Sequence, residues 1–183
     1  MRWESLFEDL EAQAEAQIAA QFREEVAENI RIERASEQMH ERMLRLQGTV
    51  VTLKLVGEIE VTARLGPVGK DYFCLENEGK RWLVKNLALR SLEMSETGSN
   101  LASHLSQVKF SAVVRGVLRD RHRILVYDIG GKPLVEGTLT QVGRDFLIVA
   151  LHPRDEYARD RSINGYHLLP LETVGWVQIV DVS

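Results

Sequence analysis

This chain has one cysteine, Cys74, among 183 residues. A single thiol excludes an internal disulfide and a thiolate metal cluster built within one chain. Proline is scarce, with four in all and none before Pro67, and the first glycine is Gly48. Nothing in the first 47 residues therefore breaks a helix. No stretch approaches the ~18 apolar residues that span a membrane, so no membrane contact is expected. The opening Met1-Arg2-Trp3-Glu4 leads into acidic sequence without an apolar signal core. With the lone thiol, that makes the cytoplasm the expected compartment. Excess positive charge is missing too: the net charge is −4, and residues 1–36 hold nine acids against four arginines. A general basic field for nucleic acid is thereby excluded, although a local patch is not. There is no glycine-rich phosphate loop and no nucleophile elbow. The five histidines, His40, His104, His122, His152 and His167, lack metal-site spacing. No catalytic residue, metal or cofactor is expected, and the chain reads as a non-enzyme.

What is present is a phrase said twice. Val68-Gly69-Lys70-Asp71-Tyr72 returns 74 positions later as Val142-Gly143-Arg144-Asp145-Phe146. At the same offset Gly57 matches Gly131, Val61 matches Val135, and Leu65 matches Leu139. Self-similarity at a fixed offset means a duplicated structural unit.

Residues 2–46 read as helix, rich in Ala, Glu, Gln, Arg and Leu. Trp3, Leu6, Phe7 and Leu10 open an apolar stripe that Ile18, Phe22, Val26 and Ile30 continue at i+4 steps. A break near Ala35-Ser36 is expected, with Ser36 capping a second helix from Glu37 to Leu46. From Thr49 the apolar period becomes two, predicting strands at Val51–Leu55, Ile59–Leu65, Tyr72–Leu75 and Arg81–Val84, then a short one around Leu87–Leu92. After a polar linker at 95–100, Leu101 to Leu118 reads as helix. Strands are then expected at Ile124–Ile129, Leu134–Leu139, Phe146–Leu151, Tyr166–Leu169 and Val174–Val180. Aligning Trp82 with Tyr166 gives the second unit ten extra residues within 152–165. The expected fold class is α+β, mainly β. A long acidic helix (1–35) precedes two tandem units (36–94 and 101–183), each a helix followed by a small, closed or nearly closed five-stranded barrel.

The helix, the five strands and the Val-Gly-x-Asp phrase, carried by Gly57 to Leu75 and Gly131 to Val149, resemble the Sm-like member of the SH3-like barrels. The opening Met1 to Gln13 together with both units is similar to a group of actinobacterial proteins, some labelled Fis-type regulators. That resemblance implies no particular activity. The Sm-like resemblance implies single-stranded RNA binding through loops. The sequence departs from the Sm motifs, with Asp71-Tyr72-Phe73-Cys74 and Lys85-Asn86-Leu87 in their places. No helix-turn-helix with a basic recognition helix is found.

Two classes of interaction remain. Protein–protein contact comes first, through a partner or self-association of the N-terminal helix. Its candidates are Trp3, Phe7 and Phe22, together with Arg154 and Tyr157 in the insertion, although three aromatics on one stripe are more often core than partner contacts. RNA or DNA binding is the alternative. Arg115, Arg119 and Arg123 would share a helix face if the helix runs that far, and Arg121, Lys132 and Arg144 could add to the strip. The same cations also suit a helix C-terminus without any ligand. Asp71 and Asp145 read as turn caps before a strand rather than a paired ligand site. Gly69 and Gly143 read as positive-φ turn residues, and Cys74, matching Ile148, as a core hydrophobe.

Overall fold

A computed structural model of the chain describes residues 3–94, 108–153 and 163–180. The chain divides into two compact units, Met1–Met39 and His40–Ser183.

The first unit is one helix, α1, running unbroken over Trp3–Ser36. At ~1.5 Å per residue it is about 50 Å long. A second helix, α2 (Met39–Arg45), opens the other unit. Ser36 is the last residue of α1 rather than the cap of α2. Met43 of α2 and Leu46 beyond it are buried.

Ten strands follow: β1 (Val50–Leu55), β2 (Ile59–Val68), β3 (Tyr72–Asn77), β4 (Lys80–Lys85), β5 (Leu89–Glu93), β6 (Arg123–Asp128), β7 (Pro133–Val142), β8 (Phe146–Leu151), β9 (Gly165–Pro170) and β10 (Val174–Val180). The fold is thus mixed and mainly β, and all the strand pairs are antiparallel. The duplication is visible in the order. The first half runs β5-β1-β2-β3-β4 and the second β10-β6-β7-β8-β9. Among the described residues neither half closes on itself, contrary to the expected barrels. β4 pairs with β10 instead of with β5, so ten strands form one continuous open sheet.

The repeated phrase makes the same bonds twice. The Gly69 N–H donates to Tyr72 O and the Gly143 N–H to Phe146 O, both at 2.8 Å. The carbonyls of Asp71 and Asp145 accept from Asn86 and Leu171, at 3.0 and 2.7 Å. Those last bonds equate Asn86 with Leu171 and set the second offset at 85 rather than 84. The connection after β8 is therefore eleven residues longer than the Glu78-Gly79 turn after β3, one more than expected. Gly69 and Gly143 do not take the expected positive φ. They make room for a ring: a Cβ would lie 2.2 Å from Tyr72 and 2.3 Å from Phe146. Positive φ belongs to Gly57 and Gly131, at 74° and 89°, and these two equivalent turns meet each other. A Cβ on Gly131 would stand 2.5 Å from the Val56 carbonyl oxygen.

Two cores result, and they share strands. The first gathers Val51, Leu53, Leu65, Phe73 and Val84, with Trp176 from β10. The second gathers Ile124, Leu139, Leu147 and Val177, with Tyr72 and Leu83 from the first half. Side-chain alternation explains the exchange: neighbours on a strand point to opposite faces, and β4 and β10 have a core on each face. Val84 and Trp176 face one core, Leu83 and Val177 the other. Helix α3 covers the second core with Phe110 and Val114. It spans Phe110–Asp120 and not Leu101–Leu118; Val108 and Lys109 precede it without helical structure, and 101–107 lie outside the described residues.

Candidate functional site

Helix α1 presents Ile18 (66 % exposed), Phe22 (64 %), Val26 and Ile30 as an apolar stripe open to solvent. Each four-residue step advances about 40° around the axis, so the stripe winds by about 120° from Ile18 to Ile30. It follows an i±4 ridge, which packs against another helix at a steep crossing of about 50° rather than alongside it. Trp3 and Phe7 lie on the same helix, but their side chains are outside the described residues, as are Arg154 and Tyr157 altogether.

The arginine strip does not form as a helix face. Helix α3 stops at Asp120, and Arg121 adopts a left-handed conformation with φ 52°. Arg115 donates to the Gly143 carbonyl at 2.9 Å, clipping α3 to the repeated turn. Arg119, Arg121, Lys132 and Arg144 are exposed. Arg123 departs most from the expected strip. It begins β6 and is 8 % exposed. Its Nε donates to Glu136 Oε1 at 2.9 Å, and its terminal nitrogens donate to the carbonyls of Pro153 (3.1 Å) and His152 (3.3 Å). The imidazole joins the same cluster. Nδ1 of His152 lies 2.9 Å from Pro153 O and 3.4 Å from Arg123 Nη1. Nε2 meets the Thr138 hydroxyl at 2.8 Å. This buried polar cluster stands where the inserted connection leaves β8. Sequence spacing does not reveal it, because its partners are set by the β6–β7 register, which puts Arg123 opposite Thr138.

Where the halves join, Asp71 does accept a backbone N–H, but from Phe110 at 3.1 Å. It caps the start of α3 rather than its own turn. Lys85 sits beside it, its Nζ 5.0 Å from the Phe110 ring centre and hydrogen-bonded to the Leu171 carbonyl. Desolvation lowers the Lys85 pKa, while Asp71 and Glu172 oppose the shift.

A cleft of about 330 Å³ opens between β3, β4 and α3. Trp82, Val113, Val117 and Ile179 give it apolar walls, and Glu76 and Asp120 are among its polar lining. Cys74 faces it with its thiol pushed up to about 11 by burial, and so protonated at neutral pH. It packs, partly buried, against the second core, so the cysteine sits among hydrophobes as expected. Among the described residues, no group of three or more His, Cys, Asp or Glu side chains is placed to hold a metal ion. No described helix is long and apolar enough to cross a membrane.

Comparison with known proteins returns no matching family model, no similar curated protein and no similar solved structure.

Proposed function

We propose that this chain is a non-catalytic, cytoplasmic binding protein that works through protein–protein contact made by α1, with its sheet unit serving as a scaffold of two Sm-like/SH3-like repeats. The observation that carries the reading is the exposed stripe Ile18, Phe22, Val26 and Ile30. Covering such side chains is worth roughly 1.5–3 kcal/mol each, so a stripe of this length can support a stable contact. The Sm-like assignment is supported by the duplicated strand order and by turn bonds made identically in each half. RNA or DNA contact through Arg119, Arg121, Lys132 and Arg144 is the competing reading. It has lost Arg123 to the interior and has Arg115 hydrogen-bonded to Gly143.

The test is affinity purification of the full chain from its native host, with and without nuclease, beside a Phe22→Glu/Val26→Glu variant. Protein retained after nuclease and lost from the variant is the expected result. Material that nuclease strips away, or that the variant retains in full, overturns the reading.

A further inference from the structure

Inside the chain, β4 and β10 pair along Val84↔Trp176, Leu83↔Val177, Trp82↔Gln178 and Arg81↔Ile179. β9 is the second half's copy of β4, and β5 is the first half's copy of β10. Among the described residues neither outer edge, of β5 or of β9, has a strand beside it. The internal junction is heterologous, one kind of edge meeting the other, so a chain with two halves always retains one of each.

We propose that a second copy of this chain lays its β5 along β9 of the first, in the register of the internal junction. Shifting that register by 85 positions sets Leu168 opposite Leu92, His167 opposite Glu93, Leu169 opposite Ser91 and Tyr166 opposite Met94. It also brings Pro170 to Leu87, the copies of Lys85 and Glu172. Burial distinguishes the free edges from their internal copies. Leu168 is 60 % exposed where Leu83 is 2 %, and Met94 is 41 % exposed where Ile179 is 8 %. Tyr166 and Leu87 are also exposed. Edges meant to stay solvated carry charge; β9 instead shows Tyr166 and Leu168, while β5 keeps Arg90 and Glu93 around the half-buried Leu92 and is flanked by the exposed Leu87 and Met94. The substitutions are moreover paired across the two edges. Lys85 feels the charge of Glu172 at the internal junction; at the outer one an apolar pair, Pro170 and Leu87, replaces them from both sides at once. His167 against Glu93 sets an imidazole N–H donor opposite a carboxylate. Pro170, which has no N–H, ends β9 and leaves the four residues Tyr166 to Leu169 to pair, the number that β4 uses. The association rests on the sheet alone and is independent of α1.

Two full-length variants, Leu168→Cys and Leu92→Cys, test the register when mixed under mild oxidation. The expected product is a two-chain species linked 168 to 92, formed in the mixture and by neither variant alone. Chains linked 168 to 168 or 92 to 92, or no link at all, overturn the proposal. Sedimentation across a concentration series gives the second measurement, on residues whose exposure makes misfolding no issue. Glu93→Lys and His167→Lys on one chain are expected to raise the midpoint concentration for association about tenfold, by placing like charges and their desolvation at the junction. His167→Glu chains mixed with Glu93→Lys chains are expected to regain it. A wild-type chain that stays monomeric throughout, or an unmoved midpoint in the double variant, refutes the idea. The Phe22→Glu/Val26→Glu chain leaves this association unchanged, so failure here and failure at α1 are told apart.

Discussion

The two halves of the sheet share a strand order and a set of turn bonds, yet they treat one corner in opposite ways. In the first half Val50 lies opposite Arg64 at the start of β1, Val50 is exposed, and Arg64 donates outward to the Gly48 carbonyl. In the second, Arg123 lies opposite Thr138 at the start of β6, and both are buried with His152. The difference follows from what comes after the third strand. A two-residue turn covers nothing, whereas the longer connection after β8 begins by laying His152 and Pro153 over the arginine. Duplication fixed the frame; an insertion then turned one surface corner into a buried polar cluster.

That contrast can be broken by experiment. The largest effect is expected from Trp176→Ala. This side chain belongs to the second half but fills the first core, stacked on Tyr127 with ring centres 4.7 Å apart. Its loss should cost about 3–5 kcal/mol. Denaturant unfolding of the wild type should remain a single transition, because each core borrows from the other half; two separated transitions would show the halves to be independent.

Arg123→Ala should come next, at about 3 kcal/mol, because it removes a buried guanidinium that bonds Glu136 and the carbonyls of His152 and Pro153. Val50→Ala at the equivalent exposed position should change stability by less than ~0.5 kcal/mol. Equal losses at the two positions would remove the asymmetry. Smaller and matched effects are expected from Gly69→Ala and Gly143→Ala, about 1–3 kcal/mol each, since a methyl meets an aromatic ring in both halves. A large inequality between them would mean that the repeated turns are not equivalent.

The smallest effect concerns Cys74, whose copy Ile148 cannot titrate. The folded thiol holds its proton up to about 11 against an ordinary 9.0. Its contribution to stability is therefore present in full below pH ~9 and lost as pH rises toward ~11. Cys74→Ala should flatten that alkaline decline, and labelling of the native thiol at neutral pH should be slow.

Much of the frame was legible in the sequence. The absence of proline and glycine before Gly48 predicted α1, and the switch to a period of two at Thr49 predicted where strands begin. The repeated phrase predicted that the first half's turn chemistry would recur, as the Gly69 and Gly143 bonds show. Candidate contacts were less legible. Spacing put Phe22 on an apolar stripe, but that the stripe is exposed rather than packed in a core is a fact of the tertiary structure. The burial of Arg123 was not legible, because it depends on the β6–β7 register and on the connection after β8 rather than on where α3 ends. Asp71 was assigned to capping correctly in kind, but its partner Phe110 is 39 positions away.

Local order and duplication, then, were determined by the sequence itself, since helix propensity, apolar period and turn residues act over a few neighbours. The tertiary structure alone decided that two units become one open sheet, that Trp176 and Tyr72 trade cores, and that an arginine is buried. Each of these depends on which strand edge finds which. That choice is made by burial summed across residues far apart in the chain, which no local pattern records.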